Sequence, residues 1–254
     1  MTPKSSSDQE NLRPLEIRSD DRVFVLTGAG ISAESGIRTF RDSNGLWEEH
    51  RVEDVASPAG WRASPETVWR FYSQRRQQAA ACEPNPAHRA LADLQRRIGS
   101  RLFLCTQNID GLHERAGSTD VVHMHGELYR SRCEDPACGS ASFEDRGLYE
   151  SLADVPRCAC GMRIRPHIVW FGEMPFFMDR IEEVLAQCTL FVTVGSSGVV
   201  YPAAGFVRSI QERRGQAGVR SVYIGLETPD NARSFDECRL GKAGEVLPRI
   251  LGSE

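Results

Sequence analysis

The sequence predicts an α/β protein, a doubly wound parallel sheet with a smaller domain that combines a helical part and a metal-binding module. Short apolar runs rich in β-branched residues alternate with helical stretches, which is typical of a parallel sheet covered on both faces. A glycine turn follows the first run, and polar loops follow two later ones. Four cysteines in two close pairs account for the predicted module.

The first predicted strand, residues 23–26, leads into a turn that suits a dinucleotide. Gly28, Gly30 and Ala33 satisfy the pattern G-x-G-x-x-A, in which the backbone comes close to a pyrophosphate. That pattern normally precedes a second strand that ends in an acidic residue. Residues 38–45 are instead polar and have no strand periodicity. We therefore expect a Rossmann-like nucleotide site covered by a loop, which argues against a plain dehydrogenase.

The remaining elements follow from capping signals and apolar runs. Ser64 before Pro65 and Asn85 before Pro86 each mark a helix start. In chain order we predict helices over 64–81 and 85–97, strands over 102–105 and 121–124, a helix over 179–188, a strand over 190–194, a helix over 203–213 and a strand over 219–224. Three loops, starting at Gly28, Thr106 and Gly195, leave strand ends, where such folds bind ligands.

Composition limits the classes of partner. The chain has 254 residues, 40% of them hydrophobic, and a net charge of −4, so it has no general attraction for nucleic acid or an anionic membrane. The polar first residues lack a signal peptide's apolar core, and no run approaches the ~20 apolar residues of a membrane span. We expect a soluble, monomeric cytoplasmic protein. Its expected organisation is a disordered tail over 1–19, a nucleotide-binding domain over 20–48, 85–129 and 167–254, a helical module over 49–84 and a zinc-binding module over 130–166.

The cysteines divide into two kinds. Cys82, Cys105, Cys188 and Cys238 stand alone and are interpreted as small apolar residues. The other four form two pairs about twenty residues apart: Cys133, Cys138, Cys158 and Cys160. In a reducing compartment two such pairs favour a tetrahedral zinc site over disulfides, and four thiolates leave no open position, so the zinc is expected to be structural. The alternative is two unrelated cysteine doublets.

One histidine stands out among six. His125 comes after a predicted strand end and before a glycine, where the fold places its site, and an imidazole that titrates near neutrality suits a general base. Alternation places His123 on the same face, so metal binding by the two histidines is the rival hypothesis. His50, His88, His113 and His167 are interpreted as structural or solvent-exposed.

Taken together, the motifs resemble those of the sirtuin family of NAD-dependent protein lysine deacylases, from about Asp20 onward. They occur in the family's order: G-A-G-I-S-A-E-S-G-I-R-T-F-R over 28–41, T-Q-N-I-D-G-L-H over 106–113, H-G-E-L over 125–128, the four cysteines, V-W-F-G-E over 169–173 and G-S-S-G-V-V-Y-P-A over 195–203. The resemblance implies removal of acyl groups from lysine, with nicotinamide and O-acyl-ADP-ribose as products.

The resemblance also implies roles for individual residues. His125 is the expected base, and Asn108 is the second catalytic residue. NAD is expected to contact residues of the three loops and of the later strands: Gly28, Ala29, Gly30, Ala33, Phe40, Arg41, Trp47, Gln107, Asn108, Ile109, Asp110, Gly195, Ser196, Ser197, Gly225, Leu226, Glu227 and Ala243. At 225–227 the family usually has an asparagine, which this chain lacks. The acylated peptide is expected to pair as a strand near Val169, Phe171, Gly172 and Glu173.

The acyl group is predicted from Tyr72 and Arg75, which are three residues apart on a predicted helix and could meet one anion. Tyr-x-x-Arg resembles the sirtuin subgroup that removes succinyl and malonyl groups, so we expect desuccinylation beside deacetylation. The bland alternative is a solvated arginine on an arginine-rich helix. Two rival functions stay open for the chain as a whole: mono-ADP-ribosyl transfer to a protein, and a non-enzymatic NAD-sensing or zinc-ribbon binding module.

Overall fold

The computed structural model describes residues 12–38, 46–47, 50–213, 215 and 218–252. The strands within this part of the chain are β1 Val23–Thr27, β2 Leu46–Trp47, β3 His50–Arg51, β4 Leu102–Thr106, β5 Val122–His123, β6 Gly126–Cys133, β7 Phe143–Glu144, β8 Ile164–Ile168, β9 Leu190–Val194, β10 Arg220–Gly225 and β11 Glu237–Leu240. The α-helices there are α1 Gly30–Ala33, α2 Val52–Val55, α3 Pro58–Ala63, α4 Pro65–Ala81, α5 Pro86–Ile98, α6 Leu112–Arg115, α7 Met178–Gln187, α8 Phe206–Glu212 and α9 Ala243–Leu251.

Six of these strands form one parallel sheet in the order β11-β10-β9-β1-β4-β5. β1 lies in the middle, with Val23 opposite Leu102 of β4 on one side and Leu190 of β9 on the other. The strands that follow β1 first continue on one side of it, as β4 and β5, and later on the other side, as β9 to β11. The carboxyl ends of β4, β1 and β9 lie next to one another at one edge of the sheet. This reversal of strand order opens the crevice in which such sheets bind ligands.

The sheet is covered on both faces, as the alternation of β1 requires. Val23 and Val25 face a cluster built with α5 and α9, whereas Phe24 and Leu26 face a second cluster built with α7 and α8. All five residues of β1 are buried. The predicted doubly wound parallel sheet is therefore confirmed.

Besides the four-residue helices α1 and α6, two elements near the end of the chain have no counterpart among the predicted elements. β11 is a four-residue strand that pairs with β10, and α9 packs on α5 with Leu247 and Ile250 in the core. Residues 12–19 also differ from the expected disordered tail. Leu15 N donates to Ile250 O at 2.8 Å, and the partly buried Leu12 and Ile17 pack against the same core cluster; residues 1–11 of the predicted tail lie outside the described residues.

The smaller domain consists of helices α2, α3 and α4 and the antiparallel sheet β7-β6-β8. Ser64 caps α4 by accepting a hydrogen bond from Thr67 N at 3.3 Å. A third core cluster lies between α4 and this sheet and includes Trp69, Tyr72, Leu128, Ile168 and Trp170. β6 crosses the boundary predicted at 129 and β8 crosses the one predicted at 167, so the sheet β7-β6-β8 continues directly into the nucleotide-binding domain.

A buried ion pair links the helical part to the zinc module. Arg76 of α4 is 1% exposed and lies 3.2 Å from the carboxylate of Asp145. The same guanidinium donates to Leu128 O at 2.9 Å and to Gly147 O at 2.7 Å. Because each bond crosses from α4 to the β6–β7 region, Arg76 holds the two parts of the smaller domain together.

Candidate active site

The loops that follow β1 and β9 touch backbone to backbone. Gly28 N donates to Val194 O at 2.9 Å, and Gly30 N donates to Gly195 O at 2.8 Å. A Cβ on Gly30 would lie 2.7 Å from Gly195 Cα, and Gly195 itself has a φ of +64°. Side chains at these positions would force the loops apart, so the glycines serve this close approach.

The loop after β4 joins the other two. Gln107 N donates to Thr27 O at 2.9 Å, and the Gln107 side-chain amide donates to Ser196 Oγ at 3.0 Å. The three loops predicted to carry the ligand site therefore meet at the carboxyl edge of the sheet. Ala29 and Ala33 lie half-buried at the same turn, and Ser197 follows Ser196 there.

A chain of buried polar groups runs behind this edge. The Asn108 side-chain amide donates to Gly28 O at 3.2 Å and to Ser32 Oγ at 3.1 Å. Ser32 Oγ in turn donates to the Asp110 carboxylate at 3.0 Å, which also accepts from Leu112 N at 3.1 Å. Burial raises the pKa of Asp110, while these two hydrogen bonds lower it and so oppose the rise.

His125 is oriented by a main-chain carbonyl. Its Nδ1 lies 3.0 Å from Gln107 O, and since a carbonyl only accepts, Nδ1 carries the proton. Nε2 is then left as the basic nitrogen of the neutral ring. Burial lowers the pKa of His125, although the bond to Gln107 O works in the opposite direction. The ring is therefore a neutral base at physiological pH.

His123 does not share a metal-binding arrangement with His125 among the described residues. Its Nδ1 lies 3.1 Å from Asn108 O and its Nε2 lies 2.8 Å from a Glu114 oxygen, so both nitrogens are occupied by protein groups. His113 is fully buried, with Nε2 2.9 Å from Thr27 Oγ1, and His88 belongs to the capping box of α5. These two histidines are structural, as predicted.

The other expected NAD contacts lie on several elements. Ile109 is half-buried in the loop after β4, and Ala243 is buried at the start of α9. Gly225 ends β10, and the exposed Leu226 and Glu227 follow it. Phe40 and Arg41 lie outside the described residues, and of Trp47 only its place in β2 is described.

The structure brings Tyr72 and Arg75 together inside the smaller domain. Tyr72 is 0% exposed and Arg75 is 7% exposed, and both lie on α4. The Trp170 indole N–H donates to the Tyr72 hydroxyl oxygen at 3.1 Å. Burial raises the pKa of Tyr72, so the phenol keeps its proton. Because the Tyr72 oxygen already accepts from Trp170, its own proton is available to an acceptor other than Trp170.

The segment 169–173 runs beside His125. Val169 N donates to His125 O at 2.9 Å, and Phe171 N donates to Ala56 O at 3.0 Å. Phe171 is exposed, and Gly172 has a φ of +90°, where a Cβ would meet no atom of the described residues within 4 Å. The Glu173 carboxylate is different, since it accepts from Arg165 at 2.6 and 2.9 Å and from Trp170 N at 2.9 Å. The Glu173 side chain thus stabilises the segment through hydrogen bonds to the protein itself.

The four cysteines of the module come together. Their sulfur atoms all lie within 4.8 Å of one another, and the Cys133–Cys160 and Cys138–Cys158 sulfur pairs are each 3.6 Å apart. A tetrahedral zinc with bonds of about 2.3 Å needs sulfurs about 3.8 Å apart. Four sulfurs at this spacing fit a closed, structural zinc site.

Comparisons with known proteins agree with this geometry. A profile described as "Sir2 family" matches residues 28–202, more than half of the chain. An NAD-dependent protein deacylase from Pasteurella multocida (strain Pm70) is 47% identical over 91% of this chain and 96% of its own length. One from Escherichia coli (strain K12) is 48% identical over 93% of this chain and 83% of its own.

Solved structures show the same likeness. A Sir2 homolog–NAD complex superposes with a TM-score of 0.82 at 36% identity, covering 99% of this chain and 95% of that one. Sir2Af2 bound to a myristoylated histone peptide superposes with a TM-score of 0.67 at 32% identity, covering 96% and 93%. By its sequence, its parallel sheet and its cysteine cluster, this chain belongs to the Sir2 family.

Proposed function

We propose that the protein removes acyl groups from lysine side chains of other proteins in an NAD-dependent reaction, with His125 as the base. The single observation that carries the proposal is the bond from His125 Nδ1 to Gln107 O, because it fixes a neutral ring with Nε2 as the basic atom. The Gln107 side chain also contacts Ser196, so His125 lies next to the place where the loops after β4 and β9 meet.

NAD would be held where the loops after β1, β4 and β9 meet. The hydroxyls of Ser196 and Ser197, the amides of Gln107 and Asn108 and the carboxylate of Asp110 are polar groups of the kind a dinucleotide requires. When bound, NAD supplies the ADP-ribosyl group that accepts the acyl group, and nicotinamide leaves. His125 would take up at Nε2 the proton of a ribose hydroxyl of bound NAD, and Asn108 and Asp110 would be held in place by their hydrogen bonds to Ser32.

An acyl-lysine peptide is the substrate that the cleft favours. The segment 169–173 contacts His125 through Val169 N, and the exposed Val199 and Tyr201 follow the loop after β9. Main-chain edges of this kind bind extended peptides by hydrogen bonds that are insensitive to sequence. Several relatives carry the name NAD-dependent protein deacylase, which supports the same substrate class.

Acidic acyl groups are the second part of the proposal. Tyr72 presents a protonated hydroxyl whose oxygen already accepts from Trp170, and Arg75 adds a guanidinium on the same helix. A guanidinium and a phenol suit a carboxylate. Succinyl and malonyl groups end in a carboxylate and would be removed as well as acetyl groups.

Zinc would have no catalytic role in this chemistry, since four thiolates leave no open coordination position on the metal.

The test is a panel of acetyl-, malonyl- and succinyl-lysine peptides incubated with and without NAD, followed by mass spectrometry. We expect loss of each acyl group only when NAD is present. Addition of ADP-ribose to the peptide, with the acyl group retained, would show a mono-ADP-ribosyltransferase instead. A cytoplasmic location and a monomeric state stay predictions from the sequence.

A further inference from the structure

Four successive carbonyls, one at the end of β4 and three in the loop after it, accept hydrogen bonds from one short stretch, residues 123–128. The donors are Met124 N to Thr106 O at 3.1 Å, His125 Nδ1 to Gln107 O at 3.0 Å, His123 Nδ1 to Asn108 O at 3.1 Å and Leu128 N to Ile109 O at 2.7 Å. This stretch therefore fixes the loop that carries Asn108 and leads to Asp110. Three of the donors keep their N–H at any ordinary pH, but His123 does not.

His123 faces an acceptor at each ring nitrogen. Nδ1 points at the Asn108 carbonyl and Nε2 lies 2.8 Å from a Glu114 carboxylate oxygen. A neutral imidazole has one N–H and can serve only one of them, whereas an imidazolium serves both. Burial disfavours the charged ring, but the hydrogen bond and the charge of Glu114 prevail and raise the pKa of His123.

The surroundings of the ring are acidic or neutral. Glu114 comes from α6, Asp110 from the loop itself and Glu127 from β6, and each acts on His123 through its charge. His113 of α6 is the other titratable neighbour, and burial holds its pKa well below the usual value, so it stays uncharged. The ring thus lies among three carboxyl groups and one neutral imidazole.

We infer that His123, held as an imidazolium by Glu114, is a positioning residue that fixes the Asn108–Asp110 stretch for NAD. When the ring loses a proton, the remaining N–H stays with the Glu114 carboxylate, the stronger acceptor, so the bond to Asn108 O is lost and NAD affinity falls. The inference rests on the proposed function, since it takes this loop to line the NAD pocket. Because the folded pKa is raised, the contact is complete below the ordinary histidine value and is lost as pH rises through the folded value.

Glu114→Gln gives the discriminating variant. A glutamine amide donates to Nε2 of a neutral ring, so that ring still donates from Nδ1 to Asn108 O and both bonds survive without a charge. From about pH 6 to about pH 9 we expect NAD affinity, measured by calorimetry, to fall about three- to tenfold in the parent. It should stay level in Glu114→Gln. Glu127→Gln is the matched control, since it removes a nearby charge and no hydrogen bond to His123, and it should keep the fall.

Nuclear magnetic resonance of the ring nitrogens supplies a readout that needs no NAD. Near pH 6 the parent's His123 should be protonated at both nitrogens, and the amide signals of residues 108–110 should follow its titration. A singly protonated ring there, or a pH dependence equal in the parent and Glu114→Gln, would overturn the inference. Absence of NAD binding at every pH would instead contradict the proposed function, while the ring measurement would still decide the state of His123.

Discussion

At the scale of single residues, two neighbouring histidines have different tasks because their partners differ. His125 donates from one nitrogen to a carbonyl and keeps the other as a base, while His123 meets an acceptor on both sides. The pKa of the first is lowered chiefly by burial, and that of the second is raised by Glu114 against the effect of burial. The sequence singled out His125 by its place before a glycine, but the role of His123 depends on Glu114, whose contact no local pattern reveals.

Replacing the base tests its role directly. His125→Tyr should leave the protein folded and able to bind NAD but lower deacylation by about 10²–10⁴-fold, the usual contribution of general base catalysis. Single-turnover deacylation together with calorimetric NAD binding checks both halves. Turnover within a few-fold of the parent would remove His125 from the mechanism.

The pH dependence of catalysis follows from the same ring. Because burial lowers the pKa of His125, its basic form persists below the ordinary histidine value of about 6.5. The acid limb of kcat/KM should therefore have its midpoint below about 6.5. A rate profile against pH with an acetyl-lysine peptide measures it, and an acid limb with a midpoint above that value would be inconsistent with a buried neutral base.

Acyl selectivity is also a residue-scale property. Arg75→Met should lower desuccinylation about ten- to a hundredfold, the value of a charged hydrogen bond of ~1.5–3 kcal/mol, and leave deacetylation nearly intact. Tyr72→Phe, which removes only a hydroxyl, is the matched variant and should act in the same direction. Equal loss of both activities would make Arg75 a structural residue.

At the scale of elements, α4 carries arginines with opposite roles. Arg70 is exposed and pairs with Glu66 one turn away, whereas Arg76 is buried against Asp145. Arg76→Met leaves the Asp145 carboxylate without its counterion and should cost about 3–5 kcal/mol of unfolding free energy. Arg70→Met should change it by under about 0.5 kcal/mol. Denaturant unfolding compares the two, and similar values would refute a joining role for Arg76.

The zinc module is the second element with a direct test. Elemental analysis should find about one zinc per chain, as a closed four-thiolate site requires. Cys158→Ser should abolish binding and destabilise β6 to β8, because metal binding and folding of such modules are coupled. Folded, active protein without zinc would contradict this account.

At the scale of the whole molecule, the sequence predicted the parallel sheet and the ligand edge because they depend on local patterns. Val23–Thr27 and Leu190–Val194 are short apolar runs followed by glycines, and their loops meet as expected. β6 escaped prediction because Gly126–Cys133 begins with a glycine and lacks regular apolar alternation, with Leu128 next to Tyr129 and three charged residues among eight. The burial of Arg76 depends on a partner far along the chain, Asp145, which no local pattern reveals.

The proposed site joins all three scales, since loops of the sheet domain are proposed to hold NAD, and α4 of the smaller domain and segment 169–173 are proposed to contact the acyl-lysine. The most direct test follows nicotinamide and the deacylated peptide together in a single turnover with acetyl- and succinyl-lysine peptides. We predict that one nicotinamide appears for each acyl group removed, with either peptide. Nicotinamide release while the acyl group stays on the peptide would contradict the central claim that this protein is a lysine deacylase.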